Sequence, residues 1–341
     1  VFWLSFITAL AAVTVAQLSQ TQRSQASVKF SVILVALLTV SGYLLKNIHW
    51  TQAHSESLSA VLVQPNIDQN KKWSAGELDR ILQQLQTQTE PHWGADLIVW
   101  PEAAVPTTPQ RAADLLTAID RAGKVNQTAL LTGIPTYERS SGKYFNSVLA
   151  LGTAQGQYDK TRLVPFGEYV PLESILRGLI RFLDLPMSSF SLGASEQPPL
   201  IVAGATIATA ICYEIVYPDL VAEMAENANI LLTVSNDAWF GQSIAPRQHM
   251  QMARMRAIEN SKPMLRGTTN GVTAIIDHQG NIVAQLAQFT AGELSGEITP
   301  RSGRTFFSHT GSWPIVVLSL LLSCGLIAQR RYGETNNEKR H

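Results

Sequence analysis

The stretch IATAICYE, residues 207–214, is a short apolar run that ends in a cysteine, with a carboxylate two residues later. The run predicts a buried β-strand, and α/β folds place their reactive groups just beyond the carboxyl ends of such strands. Cys212 is therefore a candidate nucleophile, because a thiol attacks well once a base removes its proton. The alternative is a small core residue that completes the strand, since free cysteine is among the most buried residue types.

Strands and helices alternate on both sides of this stretch. Several predicted strands are continuous runs of Val, Ile, Leu and Ala, which is typical of strands buried on both faces. About 250 residues with this alternation predict one α/β domain rather than two. The predicted strands cover residues 60–64, 96–100, 129–133, 147–151, 206–211, 230–235, 264–268 and 272–277. The predicted helices cover residues 75–89, 109–123, 220–227 and 246–261.

The composition indicates contact with a membrane. Of 341 residues, 45% are hydrophobic and 15% are charged, with a formal net charge of zero, whereas soluble domains average about 25% charged residues. The absence of a basic excess argues against a nucleic-acid partner. Cys212 and Cys324 form no disulfide framework. The histidines lack metal-ligand spacing, so neither a metal nor another cofactor is predicted.

Three apolar runs flank the central segment, at residues 1–18, 28–48 and 311–329. Each is close to the roughly 17–25 residues that a membrane-spanning helix needs, and buried core helices are the alternative. Arg23 and Lys29 lie between the first two runs, and residues 330–341 carry further basic side chains. Basic flanks mark the cytoplasmic side. The prediction is therefore a multi-pass protein whose domain, residues 55–303, faces the periplasm of a bacterium, with a cytoplasmic tail at 330–341.

Two charged residues that follow other predicted strands are candidates to assist Cys212. Glu102 comes after Pro101, which lacks an N–H donor and ends its strand. A base is needed because a free thiol, with a pKa of about 8.5, is mostly protonated near neutrality. Lys160 lies in YDKTRLVPFGEYVP, residues 158–171, where a fixed positive charge would stabilise an oxyanion. The alternatives are a solvated loop glutamate and an exposed edge-strand lysine. The histidines, His249 among them, sit in no recognisable Cys–His pattern.

Glu102, Lys160 and Cys212, in this order, resemble the catalytic set of the nitrilase superfamily. The segments LVPFGEYVP (163–171), CYE (212–214), SNDAWFG (235–241) and RGTTNGV (266–272) are each similar to segments of the apolipoprotein N-acyltransferases, the integral-membrane branch of that superfamily. This resemblance implies an α/β fold, a nitrilase-like αββα sandwich flanked by transmembrane helices. The branch has more transmembrane helices before the domain than the two predicted here, so we expect this chain to lack an N-terminal part.

The resemblance also implies an acyl transfer that matures bacterial lipoproteins. Glu102 would be the general base, and Cys212 would attack the sn-1 ester of a phospholipid, with phosphatidylethanolamine as the implied donor. Lys160 would stabilise the oxyanion together with a backbone N–H near Tyr213. The α-amine of the S-diacylglyceryl cysteine at the N-terminus of an apolipoprotein would then take the acyl chain from the Cys212 thioester. Such a covalent intermediate predicts ping-pong kinetics.

Further residues are assigned by the same resemblance. Glu168 and Glu214 would be supporting carboxylates that position the lysine and line the site, or structural acids in local hydrogen bonds. Trp73 would lie near a lipid entrance, although one tryptophan after two lysines also arises by coincidence. Trp239 and Phe240 would form a wall for an acyl chain, with core packing as the alternative.

Other functions remain open at this point. Residues 172–184 have amphipathic helical spacing, which predicts a segment on the membrane interface or a helix docked on the core. One rival function is a membrane-tethered nitrilase or amidase that hydrolyses a small C–N bond with the same three residues. Another is a catalytically silent binding domain, which the intact Glu-Lys-Cys set argues against. A serine hydrolase is excluded because no G-x-S-x-G motif occurs.

Overall fold

The structure, a computed structural model, describes residues 2–18, 25–45, 48–74, 76–165, 167–169 and 190–338. The predicted amphipathic segment at 172–184 lies outside these residues. The α-helices are α1 (Phe2–Leu18), α2 (Gln25–Leu45), α3 (Gln69–Lys72), α4 (Leu78–Thr89), α5 (Ala113–Val125), α6 (Pro218–Met224), α7 (Ala245–Asn260), α8 (Phe306–Thr310) and α9 (Trp313–Glu338). By internal contacts the chain divides into the unit Thr51–Ser308 and the unit Val1–Trp50 with His309–His341.

The strands all belong to the unit Thr51–Ser308. In chain order they are β1 (Thr51–Ala53), β2 (Leu58–Gln64), β3 (Leu97–Val99), β4 (Ala129–Glu138), β5 (Lys143–Gly152), β6 (Gln157–Asp159), β7 (Leu200–Val202), β8 (Ala205–Ile211), β9 (Ile230–Ser235), β10 (Met264–Thr268), β11 (Ala274–Ile276), β12 (Ile282–Gln285), β13 (Gly292–Ile298) and β14 (Arg301–Gly303).

Two sheets with the same internal plan contain most of these strands. Among the described residues, one six-stranded sheet has the order β13-β2-β3-β4-β5-β6, the other has the order β12-β11-β10-β9-β8-β7, and β1 pairs with β14. In the first sheet β2, β3 and β4 are parallel, as are β8, β9 and β10 in the second. The outer strands pair antiparallel to these centres. The carboxyl ends of parallel strands meet at one sheet edge, where α/β folds hold their reactive groups.

The central strands bury both of their faces. In β2, Leu62 points into the apolar layer between the two sheets, while its neighbours Val61 and Val63 pack on the opposite face with helices α4 and α5. In β9, Leu232 faces the layer between the sheets and Leu231 faces helices α6 and α7. This alternation follows from the two-residue period of a strand. The layers are therefore helix, sheet, sheet and helix, as predicted.

The predicted central elements are all present, with differences at their ends. Strands β9 and β10 begin and end at the predicted residues, whereas α4 and α5 begin at Leu78 and Ala113 rather than at residues 75 and 109. The strands that were not predicted are the sheet edges β6, β7, β12 and β13 and the small pair of β1 with β14. An edge strand is partly solvated, so its sequence need not be a continuous apolar run. For example, β13 has the sequence GELSGEI.

The apolar runs at 1–18, 28–48 and 311–329 overlap helices α1, α2 and α9. Within the described residues, the structure contains no helix that is both long enough and apolar enough to cross a membrane. The structure therefore does not show the predicted transmembrane spans.

The layer between the sheets should contribute most of the stability of this unit. Leu232 is 1% exposed in that layer, and we expect Leu232→Ala to lower the free energy of unfolding by about 3 kcal/mol, because the cavity left behind loses contacts on every side. Val283→Ala is the matched control, since Val283 lies in β12 and is 60% exposed. Denaturant unfolding followed by tryptophan fluorescence measures both variants. Equal losses in the two variants would contradict the assignment of this layer as the core.

Candidate active site

Cys212 lies at the point where β8 ends and the 3-10 turn Cys212–Val216 begins. Its φ angle is +52°, in the left-handed region that non-glycine residues rarely adopt. Such strain persists only where the surroundings hold it, and here Nε2 of His249 donates a hydrogen bond to the Cys212 carbonyl oxygen at 3.0 Å. The residue is half-buried. The sharp turn therefore presents the thiol at the edge of the second sheet.

The thiol of Cys212 rests in a protonated state. Burial and the negative charge of Glu102 raise its pKa, and the positive charge of Lys160 offsets this only in part. Ser235 places its hydroxyl oxygen 3.5 Å from the sulfur. A thiol of this kind needs a base that takes its proton as the sulfur attacks.

Glu102 has the surroundings of such a base. It follows β3 and is buried, with Oε1 accepting from Nδ2 of Asn146 at 2.8 Å and Oε2 accepting from the backbone N–H of Asn236 at 2.7 Å. Burial alone would raise the pKa of Glu102, but the charge of Lys160 and these two hydrogen bonds outweigh it and lower the pKa. Glu102 is therefore an ionised carboxylate near neutral pH.

Lys160 directly follows β6 and is 1% exposed. Its Nζ lies 2.8 Å from Oε1 of Glu168 and 3.5 Å from Oε1 of Glu102. Burial opposes the charged form, but the charges of Glu102 and Glu168 outweigh it and raise the pKa of Lys160. The side chain is therefore a permanent ammonium group, fixed between two carboxylates. The strands thus bring Glu102, Lys160 and Cys212 into one electrostatic cluster.

Glu168, which the resemblance assigns as a supporting carboxylate, contacts the lysine directly. Its second oxygen, Oε2, accepts from the backbone N–H of Val164 at 2.8 Å, and Nδ2 of Asn146 bridges Oε1 of Glu168, at 3.0 Å, to Glu102. The amide of Asn146 and the ammonium of Lys160 together fix the separation of the two carboxylates.

Glu214 acts on the loop of the lysine rather than on the lysine itself. It is fully buried and accepts from the backbone N–H groups of Ile211, at 2.7 Å, and Thr161, at 2.6 Å. The hydroxyl of Tyr158 donates to it at 3.0 Å. Burial raises the pKa of Glu214. This carboxyl group therefore connects the end of β8 to the segment that carries Lys160.

Tyr213, the residue between Cys212 and Glu214, has a side chain that is 37% exposed.

This arrangement can be compared with known proteins. Residues 59–306 match the family model described as carbon-nitrogen hydrolase. The chain belongs to this family. It is similar to the apolipoprotein N-acyltransferases of Pseudomonas aeruginosa (43% identity, 94% of this chain and 63% of that protein) and Azotobacter vinelandii (41% identity, 97% and 65%). The chain thus spans less than two thirds of the length of these relatives.

Solved structures of carbon-nitrogen hydrolases share the fold. The Saccharomyces cerevisiae nitrilase-superfamily protein Nit3 is 17% identical, with a TM-score of 0.55 over 73% of this chain and 93% of that one. A carbon-nitrogen hydrolase from Helicobacter pylori is also 17% identical, with a TM-score of 0.54 over 71% of this chain and 89% of that one. At this identity the likeness shows the fold alone, and the fold is the predicted nitrilase-like sandwich.

Sequence reasoning missed the residues that surround the backbone of Cys212. No recognisable Cys–His pattern marks His249 in the sequence, yet its Nε2 binds the Cys212 carbonyl oxygen and its Nδ1 lies 3.0 Å from Oδ1 of Asp237. Asp237 also binds Arg266, at 2.7 Å, and the Ser235 hydroxyl, at 2.6 Å. A histidine far along the chain gives no local signal. However, Asp237 lies in the segment SNDAWFG and Arg266 lies in RGTTNGV, and both segments carry the family resemblance.

The three residues proposed to meet lipid lie in different surroundings. Trp239 is 59% exposed and Phe240 is 39% exposed; the ring of Phe240 packs edge-on near His249, with ring centres 6.3 Å apart. Trp73 directly follows α3, and its indole N–H is buried without a hydrogen-bond acceptor among the described residues. The exposure of Trp239 and Phe240 does not fit the alternative of core packing.

The described residues contain no group of three or more His, Cys, Asp or Glu side chains that would hold a metal ion.

Gly133 provides a test of the position of Glu102. A methyl group at Gly133 would lie 2.3 Å from the carbonyl oxygen of Pro101 and 2.6 Å from Cα of Glu102, so Gly133→Ala must displace the loop that carries the base. Displacements of about 1 Å at a site can cost about a hundredfold in rate. We expect iodoacetamide to alkylate Cys212 at least tenfold more slowly in Gly133→Ala. Intact-mass analysis in a Cys324→Ser background measures this rate. Gly292→Ala is the control, because its methyl group would make only ordinary contact in the same sheet. Equal rates in the two variants would refute the prediction.

Proposed function

We propose that this protein is an apolipoprotein N-acyltransferase that moves a fatty acyl chain from a phospholipid to the N-terminus of an apolipoprotein. The observation that carries the proposal is the buried set of Glu102, Lys160 and Cys212, in a chain that is 43% identical over 94% of its length to curated apolipoprotein N-acyltransferases. The donor is a diacyl phospholipid such as phosphatidylethanolamine, and the acceptor is the α-amine of an S-diacylglyceryl cysteine.

In the first half of the reaction, the sulfur of Cys212 attacks the sn-1 ester carbonyl carbon while Glu102 takes the thiol proton. Negative charge develops on the carbonyl oxygen, where the ammonium of Lys160, together with a backbone N–H near Tyr213, stabilises it. The C–O bond then breaks, and Glu102 returns the proton to the departing alkoxide. The products are a thioester on Cys212 and a lysophospholipid.

In the second half, the neutral α-amine of the diacylglyceryl cysteine attacks the thioester carbonyl carbon. Glu102 accepts a proton from the amine, and Lys160 again stabilises the oxyanion. The C–S bond breaks, and the proton on Glu102 passes to the departing thiolate. An amide and the free thiol of Cys212 result. Because the chain carries the acyl group between two substrates, water must be kept from the thioester.

We further propose that α1, α2 and α9 lie in the bacterial inner membrane and that the unit Thr51–Ser308 faces the periplasm. In support, α2 exposes Phe30 at 68%, Ile33 at 57% and Leu37 at 61%, and α9 exposes Leu321 at 66%. Contiguous apolar surface of this kind is unfavourable in water. The basic residues between the first two apolar runs and after the third fit a cytoplasmic location of those segments.

The exposed side chains of Trp239 and Phe240 are proposed to line the path of the acyl chain. Both belong to the 3-10 turn Asp237–Phe240, which directly follows the end of β9. Aromatic rings with one apolar face free are suited to contact with a lipid chain. Trp73 is proposed to lie at the lipid entrance, because its buried indole N–H has no hydrogen-bond acceptor among the described residues and could bind a polar group of the donor.

The central prediction concerns a covalent intermediate. After exposure of the intact protein to phosphatidylethanolamine, intact-mass analysis should detect one fatty-acyl increment, because the thioester accumulates when no acceptor is present. The increment should be absent in Cys212→Ala. It should be strongly reduced in Glu102→Gln, because an amide cannot take the thiol proton.

Two controls decide between this function and a hydrolase. Cys324→Ala should load normally, since Cys324 lies in α9 and outside the site. A diacylglyceryl-cysteine peptide should discharge the thioester and gain the acyl mass. Absence of loading, together with release of ammonia from small amides, would replace the proposal by an amidase that uses the same residues.

The proposed membrane location has its own test. We expect the protein to stay in the membrane pellet after alkaline carbonate extraction, and we expect protease added to spheroplasts to cut within the unit Thr51–Ser308. Release into the carbonate supernatant would refute integration into the membrane. Protection of this unit in intact spheroplasts, with cleavage only after lysis, would refute the periplasmic orientation.

A further inference from the structure

A second buried lysine lies beside Glu102. Lys72 is the last residue of α3 and is 1% exposed. Its Nζ donates a hydrogen bond to the backbone carbonyl oxygen of Glu102 at 3.1 Å and lies 5.9 Å from the ring centre of Trp73. In the part of the chain that the structure describes, no carboxylate lies within ion-pair distance of this ammonium group. The acyl-transfer steps above give it no role.

A buried ammonium group without an ion-pair partner is costly, because it gives up its hydration. Burial lowers the pKa of Lys72 to about 8, and the negative charge of Glu102 opposes this change. Lys72 therefore still carries its proton near neutral pH, where its positive charge acts on Glu102 through a medium of low polarity. A methionine or leucine would fill the same space at lower cost, so packing alone does not explain a lysine at this position.

The charges of the site explain what the lysine supplies. Two carboxylates, Glu102 and Glu168, share the single ammonium group of Lys160, which leaves one negative charge in excess. The ammonium of Lys72 balances that charge. Transfer of the Cys212 proton to Glu102 moves the negative charge onto the sulfur and leaves the sum unchanged. The balance therefore holds through the chemical step.

The other acids near this cluster do not alter the balance at Glu102. Glu214 binds the end of β8 and the loop after Lys160, and burial raises its pKa. Asp237 forms a separate pair with Arg266 at 2.7 Å and contacts His249 at 3.0 Å. Among the described residues, the titratable groups near Glu102 are thus Lys160, Lys72, Cys212 and, across Asn146, Glu168.

We propose that Lys72 is a positioning residue for the general base: it holds the backbone of Glu102 and adds to Lys160 a second positive charge that favours the ionised carboxylate. The inference rests on the proposed role of Glu102. It concerns the resting site and so does not depend on which acyl donor the protein uses. The adjacent Lys71 is exposed, which offers a matched control of the same charge and the same helix.

The test uses the intact protein in detergent, in a Cys324→Ser background, and measures the rate of iodoacetamide alkylation of Cys212 from acid to neutral pH. The acidic limb of this profile reports the protonation of Glu102. Lys72→Met removes both charge and hydrogen bond, and Lys72→Gln keeps an N–H donor without charge. An opposite charge at close range lowers the pKa of an acid by about one unit or more. We therefore expect the acidic limb to move to higher pH by about one pH unit in both variants, and to stay in place in Lys71→Met and Lys72→Arg.

Several outcomes would overturn the proposal. The proposal fails if the acidic limb of Lys72→Gln and Lys72→Met lies at the same pH as in the wild type. It also fails if the alkylation rate falls equally at every pH, because that result indicates a structural role only. A limb that moves in Lys72→Arg as much as in Lys72→Gln would exclude the charge as the cause. Lys72→Gln keeps the test available when Lys72→Met does not fold, as judged by its unfolding midpoint. Because alkylation needs no acyl donor, a failure of the acyltransferase proposal would leave this readout unaffected.

Discussion

The contact between one buried ammonium and two carboxylates is the interaction on which the site depends. Lys160 lies between Glu168, at 2.8 Å, and Glu102, at 3.5 Å. Removing such charges from water costs several kcal/mol for each ion, and only close contacts and full hydrogen bonding offset that cost. Asn146 and backbone N–H groups provide those bonds. The cluster therefore holds charged groups in the protein interior. Hydrophobic side chains in its place would stabilise the fold at least as well.

The two-sheet architecture explains how residues far apart in sequence reach this cluster. Glu102 follows a parallel strand of the first sheet, Cys212 follows a parallel strand of the second, and Lys160 follows the edge strand β6 of the first. The apolar layer between the sheets sets their separation, and Glu214 bonds the end of β8 to the loop after Lys160. The position of the base relative to the thiol is thus set by core packing and by one buried carboxyl group that takes no part in the chemistry.

The elements that could be predicted are those that a short stretch of sequence indicates by itself. The central strands are continuous apolar runs, and Glu102 and Cys212 each follow one of them, so their elements could be located from the sequence. The edge strand β6, which Lys160 follows, was not predicted. Edge strands such as β13 carry a weak signal because half of their surroundings is solvent. Asn146, His249 and Lys72 could not be found, since each acts through contacts with residues distant in sequence. Such contacts exist only after the sheets have packed, and neither residue type nor periodicity marks them.

The raised pKa of the Cys212 thiol, which burial and Glu102 cause, has a consequence for when the residue reacts. A protonated thiol is a poor nucleophile and resists oxidation, because both properties follow the thiolate fraction. In the proposed mechanism, attack requires that Glu102 takes the proton while Lys160 stabilises the charge that appears on a bound carbonyl oxygen. In that mechanism both conditions are met only when an acyl substrate occupies the site. A surrounding of balanced charges keeps the resting thiol mostly protonated and so slows its reactions, which would protect it in the oxidising periplasm proposed as its location.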